Sequence, residues 1–392
     1  MSVSVLIGAD AAPVDDAIEA FSAGSAAALL DETLLSLWES CDLRAFDLEI
    51  PFTGANRPVP KCGPSLRAPE AAFRGVRALC EKASFVTLAN NHILDMGDRG
   101  LSDTAALLRE AGIPYGGAGK NAGEAAEPVF LSVKGETVGF LCCCENEFSG
   151  AGRNTPGAAL FDPLETPDAA ARAKARCDHL IVLYHGGPEE WPYPTPELQK
   201  RLRKLAEKGA DAVICQHGHI VGCMEIWEGV PIVYGQGNFL FAASDGAACW
   251  QEGLLLEILL DKENPARVVP HPVISSGPGR RSASPEEAET VLRGFEERSR
   301  EIADPACVPK RTLERARMLS GRLGRALLGN SLPLRALNAV TGRKPLGRFY
   351  DTDARLRLID FFRCETLREL YLTALSDGAE GNEHATRNGE EE

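Results

Sequence analysis

The 392-residue chain has no excess of positive charge: 42 Lys and Arg stand against 56 Asp and Glu, a net charge of −14. That balance argues against general affinity for nucleic acid or anionic lipid. No stretch approaches the ~20 consecutive apolar residues a membrane-spanning helix needs. The opening MSVSVLIGAD has neither a basic n-region nor a long apolar h-region, so it does not read as a signal peptide, and a cytoplasmic location is expected. There is no CxxC. The single CxxxH, Cys215 to His219, has no second ligand pair beside it, so a zinc knuckle is unsupported. A phosphate-binding P-loop pattern is also missing, which argues against an autonomous ATP-driven ligase. No internal repeat is found.

What is present is ordinary for a soluble protein: 44% apolar and 25% charged residues, enough for one large domain with appendages or for two domains. The twelve cysteines include the consecutive Cys142, Cys143 and Cys144 in an apolar run. They read as reduced, small apolar residues rather than a disulfide framework.

Strand and helix patterns alternate to about residue 260. Strands are predicted over 2–8, 43–48, 85–89, 179–184, 212–215, 231–234 and 254–260, with a hairpin joining 129–133 to 137–144. Helices are predicted over 32–40, 69–82, 101–111 and 197–208. The alternation implies an α/β core. Beyond residue 275 the character changes. A linker and helix start (SSGPGRRSASPEEAET) precede a Leu- and Ala-rich stretch from Lys310 to Arg348, where ten Lys or Arg face one acid, Glu314. The expected division is a domain over 1–275, a basic helical extension over 276–375 with a last helix at 355–375, and a disordered acidic tail over 376–392.

Polar residues gather just after the predicted strands, where ligands bind in open α/β sheets. Asp10 follows VLIGA; its plain alternative is a turn or cap residue. Glu49 lies between apolar neighbours in FDLEIPF. Asp47, two residues earlier, points the same way in an extended segment and ranks second. In TLANNHILDMG, Asn91 offers an amide oxygen to a metal, while Asn90 suits the turn backbone. His92 stands beside it. Asp95 reads first as a cap for the next helix and second as a partner orienting His92. His185 follows IVLY and precedes two glycines. His217 and His219 in CQHGHIVG project to one side if that segment is extended; otherwise they are two solvated loop histidines. His179, His271 and His384 lie outside such turns and read as structural or surface groups. Two carboxylates, an amide oxygen and three imidazoles, with no thiolate, suit Mn, Fe, Zn or Co. Two such ions ~3.5–4 Å apart can clamp a phosphoryl group, and a nearby imidazole can protonate the leaving oxygen.

The ordered set of Asp10, DLEIPFTG, LANNHILDMG, YHGG, QHGH and GVPIVYGQGNFLF resembles the CapA (poly-γ-glutamate capsule biosynthesis) family over residues 3–245. That family is similar to the calcineurin-like metallophosphoesterases. The resemblance implies an α/β sandwich of two β-sheets flanked by helices, followed here by a C-terminal helical extension. It implies divalent ions (Mn, Fe or Zn, up to two). Asp10 and His219 would hold one, and Asn91, His185 and His217 the other. Glu49 would bridge, and His92, with Asp95, would serve catalysis. Glu145, Asn146 and Glu189 would line the substrate site. The expected activity is phosphoester hydrolysis, or a related role in poly-γ-glutamate or capsule polymer biosynthesis, on a small or polymeric anion. Two alternatives are a non-catalytic binding protein for an anionic polymer and a γ-glutamyl or amide-bond enzyme. One departure stands out: superfamily members carry a histidine two residues after the first aspartate, and here that residue is Ala12.

Overall fold

The computed structural model describes residues 2–328 except Cys62 and residues 242–249, with the backbone alone for 320–328, and isolated positions at 336, 340, 358 and 362. The expected helix over 355–375 and tail over 376–392 lie outside the described residues. The first part of the chain forms β1 (Val3–Ala11), α1 (Ala17–Ser22), α2 (Glu32–Ser40), β2 (Leu43–Leu48), α3 (Phe73–Leu79), β3 (Ser84–Thr87), α4 (Gly97–Glu110), β4 (Tyr115–Gly116), β5 (Ala118–Gly119), α5 (Ala122–Ala125), β6 (Val129–Val133) and β7 (Glu136–Cys144). Then come β8 (Gly157–Ala158), α6 (Glu165–Lys174), β9 (His179–His185), α7 (Pro196–Glu207), β10 (Ala212–Gln216), β11 (Met224–Trp227), β12 (Val230–Val233), β13 (Asn238–Leu240), β14 (Glu252–Leu260), β15 (Arg267–Ser276), β16 (Gly279–Ser282), α8 (Pro285–Glu301) and α9 (Cys307–Leu328).

Two sheets carry the fold. One runs β16-β15-β14-β1-β2-β3-β4 with β13 also paired to β1; the other runs β11-β12-β10-β9-β7-β6. The expected two-sheet α/β sandwich flanked by helices is what forms. β1, β2, β3 and β4 are parallel neighbours in the first sheet, and β7, β9, β10 and β12 in the second. Their carboxyl ends therefore bring distant segments to common edges.

Strand alternation decides which side chains meet between the sheets. On β9, Ile181 and Leu183 enter the core shared by both sheets, while Leu180, Val182 and Tyr184 pack with Leu198, Leu202 and Leu205 of α7 on the outer face. His185 continues the inward set. β10 follows the same rule, with Ala212 and Ile214 inward and Val213 and Cys215 outward. On β7, Cys142 and Cys144 face in and Cys143 faces out. The described cysteines are free, as expected for small apolar residues.

Phe85 of β3 stacks on Phe140 of β7, with centroids 4.3 Å apart, and ties one sheet to the other. α7 starts where its sequence directs: Thr195 accepts from the Leu198 N–H, and Pro196 occupies the first turn. α8 opens with a capping box formed by Ser284 and Glu287.

Several boundaries differ from expectation. β1 extends to Ala11 because Asp10 pairs with both Asp47 and Asn238. The helix expected over 69–82 is α3 preceded by a 3₁₀ turn at Glu70–Ala72. α4 starts four residues earlier than predicted. The expected cut at residue 275 falls inside β15, which pairs with β14 and packs against α8. One compact unit runs Met1–Leu313, and a second covers Glu314–Glu392. Among the described residues, no helix is long and apolar enough to cross a membrane.

Candidate metal centre

The polar residues at the strand ends meet in one buried cluster. β1 reaches it through a bulge. The β1–β2 pairing slips between Ile7 and Asp10, where β1 exchanges its neighbour β14 for β13. Bulges of this kind re-aim a side chain, here Asp10. Gly8 lies in the bulge, and a Cβ there would stand 2.7 Å from the Phe239 ring, so the close approach requires glycine. The Gly8 carbonyl accepts from Gln216 Nε2 of the other sheet at 2.9 Å, and the Ile7 carbonyl accepts from Gln236 Nε2 at 2.9 Å. The Gln216 bond clamps the two sheets beside the cluster, and the Gln236 bond ties the β12–β13 connection to β1.

His185 stands at the centre. Its Nδ1 lies 2.7 Å from Asp47 Oδ2 and 3.8 Å from Asp10 Oδ1. Its Nε2 lies 3.1 Å from Asn91 Oδ1, 3.1 Å from His217 Nδ1 and 3.5 Å from Glu49 Oε1. His219 Nδ1 sits 3.5 Å from Asp10 Oδ2 and 2.9 Å from Asn238 Oδ1. Two groupings have donor atoms mutually within 4.8 Å: Asp10 with Asp47 and His185, and Glu49 with His217 and His219. The pairs that the resemblance implied also adjoin, with Asp10 3.5 Å from His219 and His185 3.1 Å from both His217 and Asn91. Asp47, ranked behind Glu49 on sequence, enters the Asp10 grouping. Ala12 is fully buried, and Asp47 makes up the third member of the grouping with Asp10 and His185.

His217 and His219 arrive by a route the sequence did not show. The segment is not extended: both residues adopt left-handed backbone, with φ of 96° and 53°. Such conformations are strained for non-glycine residues. The His217 N–H donates to Asp10 Oδ2 at 3.1 Å and helps hold the turn.

The chemistry of the donor set fits divalent cations. Asp10, Asp47 and Glu49 are all 0% exposed. Asp10 Oδ1, Asp47 Oδ2, both Glu49 carboxyl oxygens and His185 Nδ1 are buried without an aligned hydrogen-bond partner. The Asp47–His185 contact, at 2.7 Å, is an ion pair rather than an aligned hydrogen bond. Buried charges require pairing or metal coordination, and the donor atoms of each grouping lie close enough together to share an ion. Burial, and then Glu49, raise the Asp10 carboxyl well above its usual range. Burial also raises Asp47 despite the opposing pull of His185. Burial would raise Glu49 too, but the imidazoles of His219, His185 and His92 bring it down to about 2. His185 is raised well above the usual histidine range: burial opposes this, but Asp47 and Glu49 outweigh it. Burial and the neighbouring His185 push His217 well below that range.

His92 borders the cluster, with Nε2 3.9 Å from Glu49 Oε1. Its Nδ1 lies 2.6 Å from Asp95 Oδ2. Asp95 does not cap α4; the N-cap is Met96 and no side-chain cap bond is made there. Instead the Asp95 carboxylate accepts from Lys61 Nζ and from the Leu66 N–H, so the His92 Nδ1 must carry the proton it shares with Asp95. Asn90 serves the turn as expected: its Oδ1 accepts from the His92 N–H, and its Nδ2 donates to Asp47 Oδ1.

The three expected substrate residues are placed differently from one another. Glu145 accepts from the Gly187 N–H and the Tyr184 hydroxyl and lies 3.8 Å from Arg201, so it buttresses the turn after His185. Asn146 is exposed. Glu189 lies 3.8 Å from His217 Nε2 at the surface. Three residues not singled out on sequence also join: Lys61, Glu147 and Asn238, the last within the GVPIVYGQGNFLF motif. Glu147 accepts from Asn91 Nδ2 at 3.3 Å and approaches His217 Nε2 at 3.6 Å.

Comparison with known proteins follows the same residues. The family described as bacterial capsule synthesis protein PGA_cap matches residues 10–243, a span from Asp10 past Asn238. The chain belongs to this family. The PGA biosynthesis protein CapA of Bacillus subtilis (strain 168) is 28% identical over 188 residues, covering 47% of this chain and 49% of that one. A probable polyglutamine synthesis accessory protein of Mycobacterium tuberculosis is 36% identical over 165 residues, covering 38% and 43%. The chain thus spans about half or less of the length of these PGA_cap relatives. Among solved structures, a novel phosphatase of Mycoplasma pneumoniae aligns with a TM-score of 0.46 at 10% identity, over 75% of this chain and 97% of that one.

Proposed function

We propose that this PGA_cap protein is a metal-dependent phosphoester hydrolase. The reading is carried by the fully buried carboxylates of Asp10, Asp47 and Glu49, four of whose oxygens lack an aligned hydrogen bond, set among His185, His217 and His219. Asp10, Asp47 and His185 would hold one divalent ion, and Glu49, His217 and His219 a second, with Asn91 adjoining through His185. The mixed N/O set suits Mn, Fe or Zn. Bound ions of this kind supply Lewis-acid stabilisation of charge on a phosphoryl group.

The chain's own residues do the rest. His92 presents Nε2 on the Glu49 side; with both ring nitrogens protonated, it gives the Nε2 proton to the leaving oxygen and keeps the Nδ1–H on Asp95. Asp95 holds Nδ1 and fixes the ring. Glu145 keeps the His185–Gly187 turn in place, and the inter-sheet clamp of Gln216 keeps the two groups of ligands together.

The test is turnover. Purified protein supplied with Mn should hydrolyse an aryl phosphate mono- or diester, and His92→Ala should lower kcat by on the order of a hundredfold or more. No turnover across mono- and diesters with Mn, Fe or Zn would refute the hydrolase reading. A second reading is favoured by the Mycobacterium relative's description as an accessory protein: a non-catalytic binder of an anionic polymer such as poly-γ-glutamate. Two bound transition metals per chain with turnover support the enzyme. One or none, with retained polymer binding, supports the binder.

A further inference from the structure

We infer that Lys61, buried behind His92, is a positioning residue that fixes Asp95 and, through it, the His92 ring. This rests on the hydrolase reading above. Lysine is almost never fully buried unless paired, and the Lys61 side chain is 3% exposed. Its ammonium contacts Asp95 Oδ1 and lies 3.2 Å from His92 Nδ1.

An ammonium group only donates, and the His92 Nδ1–H is already committed to Asp95 Oδ2. The two nitrogens therefore do not bond each other; both address one carboxylate. Lys61 takes Oδ1, while His92 and the Leu66 N–H share Oδ2. The remaining tie is backbone: the Asp95 carbonyl accepts from the Val59 N–H at 3.0 Å. Segment 59–66 is thus anchored on Asp95 at both ends, with Lys61 between them and Pro60 restricting the backbone beside it. Rotation of the Asp95 carboxylate would break the Lys61 contact and the His92 contact together. Lys61 acts on the side of the imidazole away from Glu49, so it touches neither the ligand groupings nor the face that meets substrate. It positions; it does not react.

The alternative is a lysine that merely anchors its loop, and the two roles separate experimentally. Lys61→Met and Lys61→Arg are compared with the wild-type full chain, loaded with Mn, on an aryl phosphate. Lys61→Met should lower kcat by about 10- to 100-fold, the scale for removing a group that orients a reacting side chain. KM and bound metal should stay unchanged, and Lys61→Arg should recover part of the loss. Imidazole nitrogen NMR, taken at a pH where the ring carries a single proton, gives a readout independent of turnover: wild type should hold that proton on His92 Nδ1, and Lys61→Met should show a tautomer mixture. Unchanged kcat with an unchanged His92 spectrum would overturn the proposal, even if Lys61→Met melts at a lower temperature. If wild type hydrolyses no phosphoester, the hydrolase reading falls, while the spectra still decide whether Lys61 fixes His92. A Lys61→Met protein that does not fold leaves Lys61→Arg to decide: a wild-type spectrum supports the proposal, and a tautomer mixture with the Asp95 contact retained overturns it.

Discussion

His92→Ala removes the imidazole whose Nε2 lies 3.9 Å from Glu49 Oε1 and whose Nδ1 is held by Asp95. Loss of a general acid lowers the rate by about 10²–10⁴-fold, or about 2.7–5.4 kcal/mol of transition-state stabilisation. The loss should depend on the leaving group. A phenyl or alkyl ester needs a proton on its departing oxygen and should show the full effect. A nitrophenyl ester, which leaves as a stable anion, should show much less. Asp95→Asn should act through the same step. The carboxylate receives Lys61 Nζ, the Leu66 N–H and the His92 Nδ1–H. An amide has one acceptor oxygen and two donor hydrogens, so it cannot serve all three. A loss of about 10- to 100-fold follows, or about 1.4–2.7 kcal/mol. Because Asp95 works through His92, the double variant should be no slower than His92→Ala alone. The assay is steady-state kcat for a leaving-group series across the four proteins. Equal losses for all esters, or additive losses in the double variant, would refute the assignment.

Metal loading should raise the melting temperature. An ion at a hundred times its Kd adds about 2.7 kcal/mol. For a compact unit ending at Leu313, with an unfolding entropy of about 0.66 kcal/mol per °C, that is about 4 °C; differential scanning fluorimetry should show the shift in wild type and little in Asp10→Asn or His185→Ala. The apparent affinity should rise with pH. The raised carboxyl of Asp10 and the raised imidazole of His185 must each release a proton before an ion binds, so titration calorimetry at increasing pH should show tightening, and a pH-independent Kd would contradict it. Arg280→Met should destabilise by about 3 kcal/mol or more, because its buried guanidinium serves the carbonyls of Phe239, Phe241, Trp250 and Gln251. Denaturant unfolding would measure that loss.

Much of the site was legible because it obeys local rules. Polar residues at the ends of buried parallel strands stand where ligands bind, and Asp10, Glu49, Asn91, His185, His217 and His219 each carried that mark alongside the plainer turn, cap and loop roles. Period-two alternation also foretold that Asp47 and Glu49 share a side, and both reach the cluster. The rest depended on contacts that no spacing encodes. Lys61 sits in a Pro-rich loop with no periodic pattern and reaches Asp95 across 34 positions. Asn238 meets His219 only because β13 pairs beside β1. The left-handed turns at His217 and His219 are imposed from outside the segment, by Asp10 among others. Asp95 looked like a helix cap because it precedes α4, yet its carboxylate is taken by three donors from elsewhere. The change in composition near residue 275 marked a surface loop rather than a boundary, since β15 and α8 complete the first unit.

Convergence of positions 10 to 219 on divalent cations is tested most directly by anomalous diffraction from crystals grown with Mn. Two peaks are expected, one bounded by Asp10, Asp47 and His185 and the other by Glu49, His217 and His219. A map with no peak among these side chains, or with Mn bound only elsewhere, would contradict it.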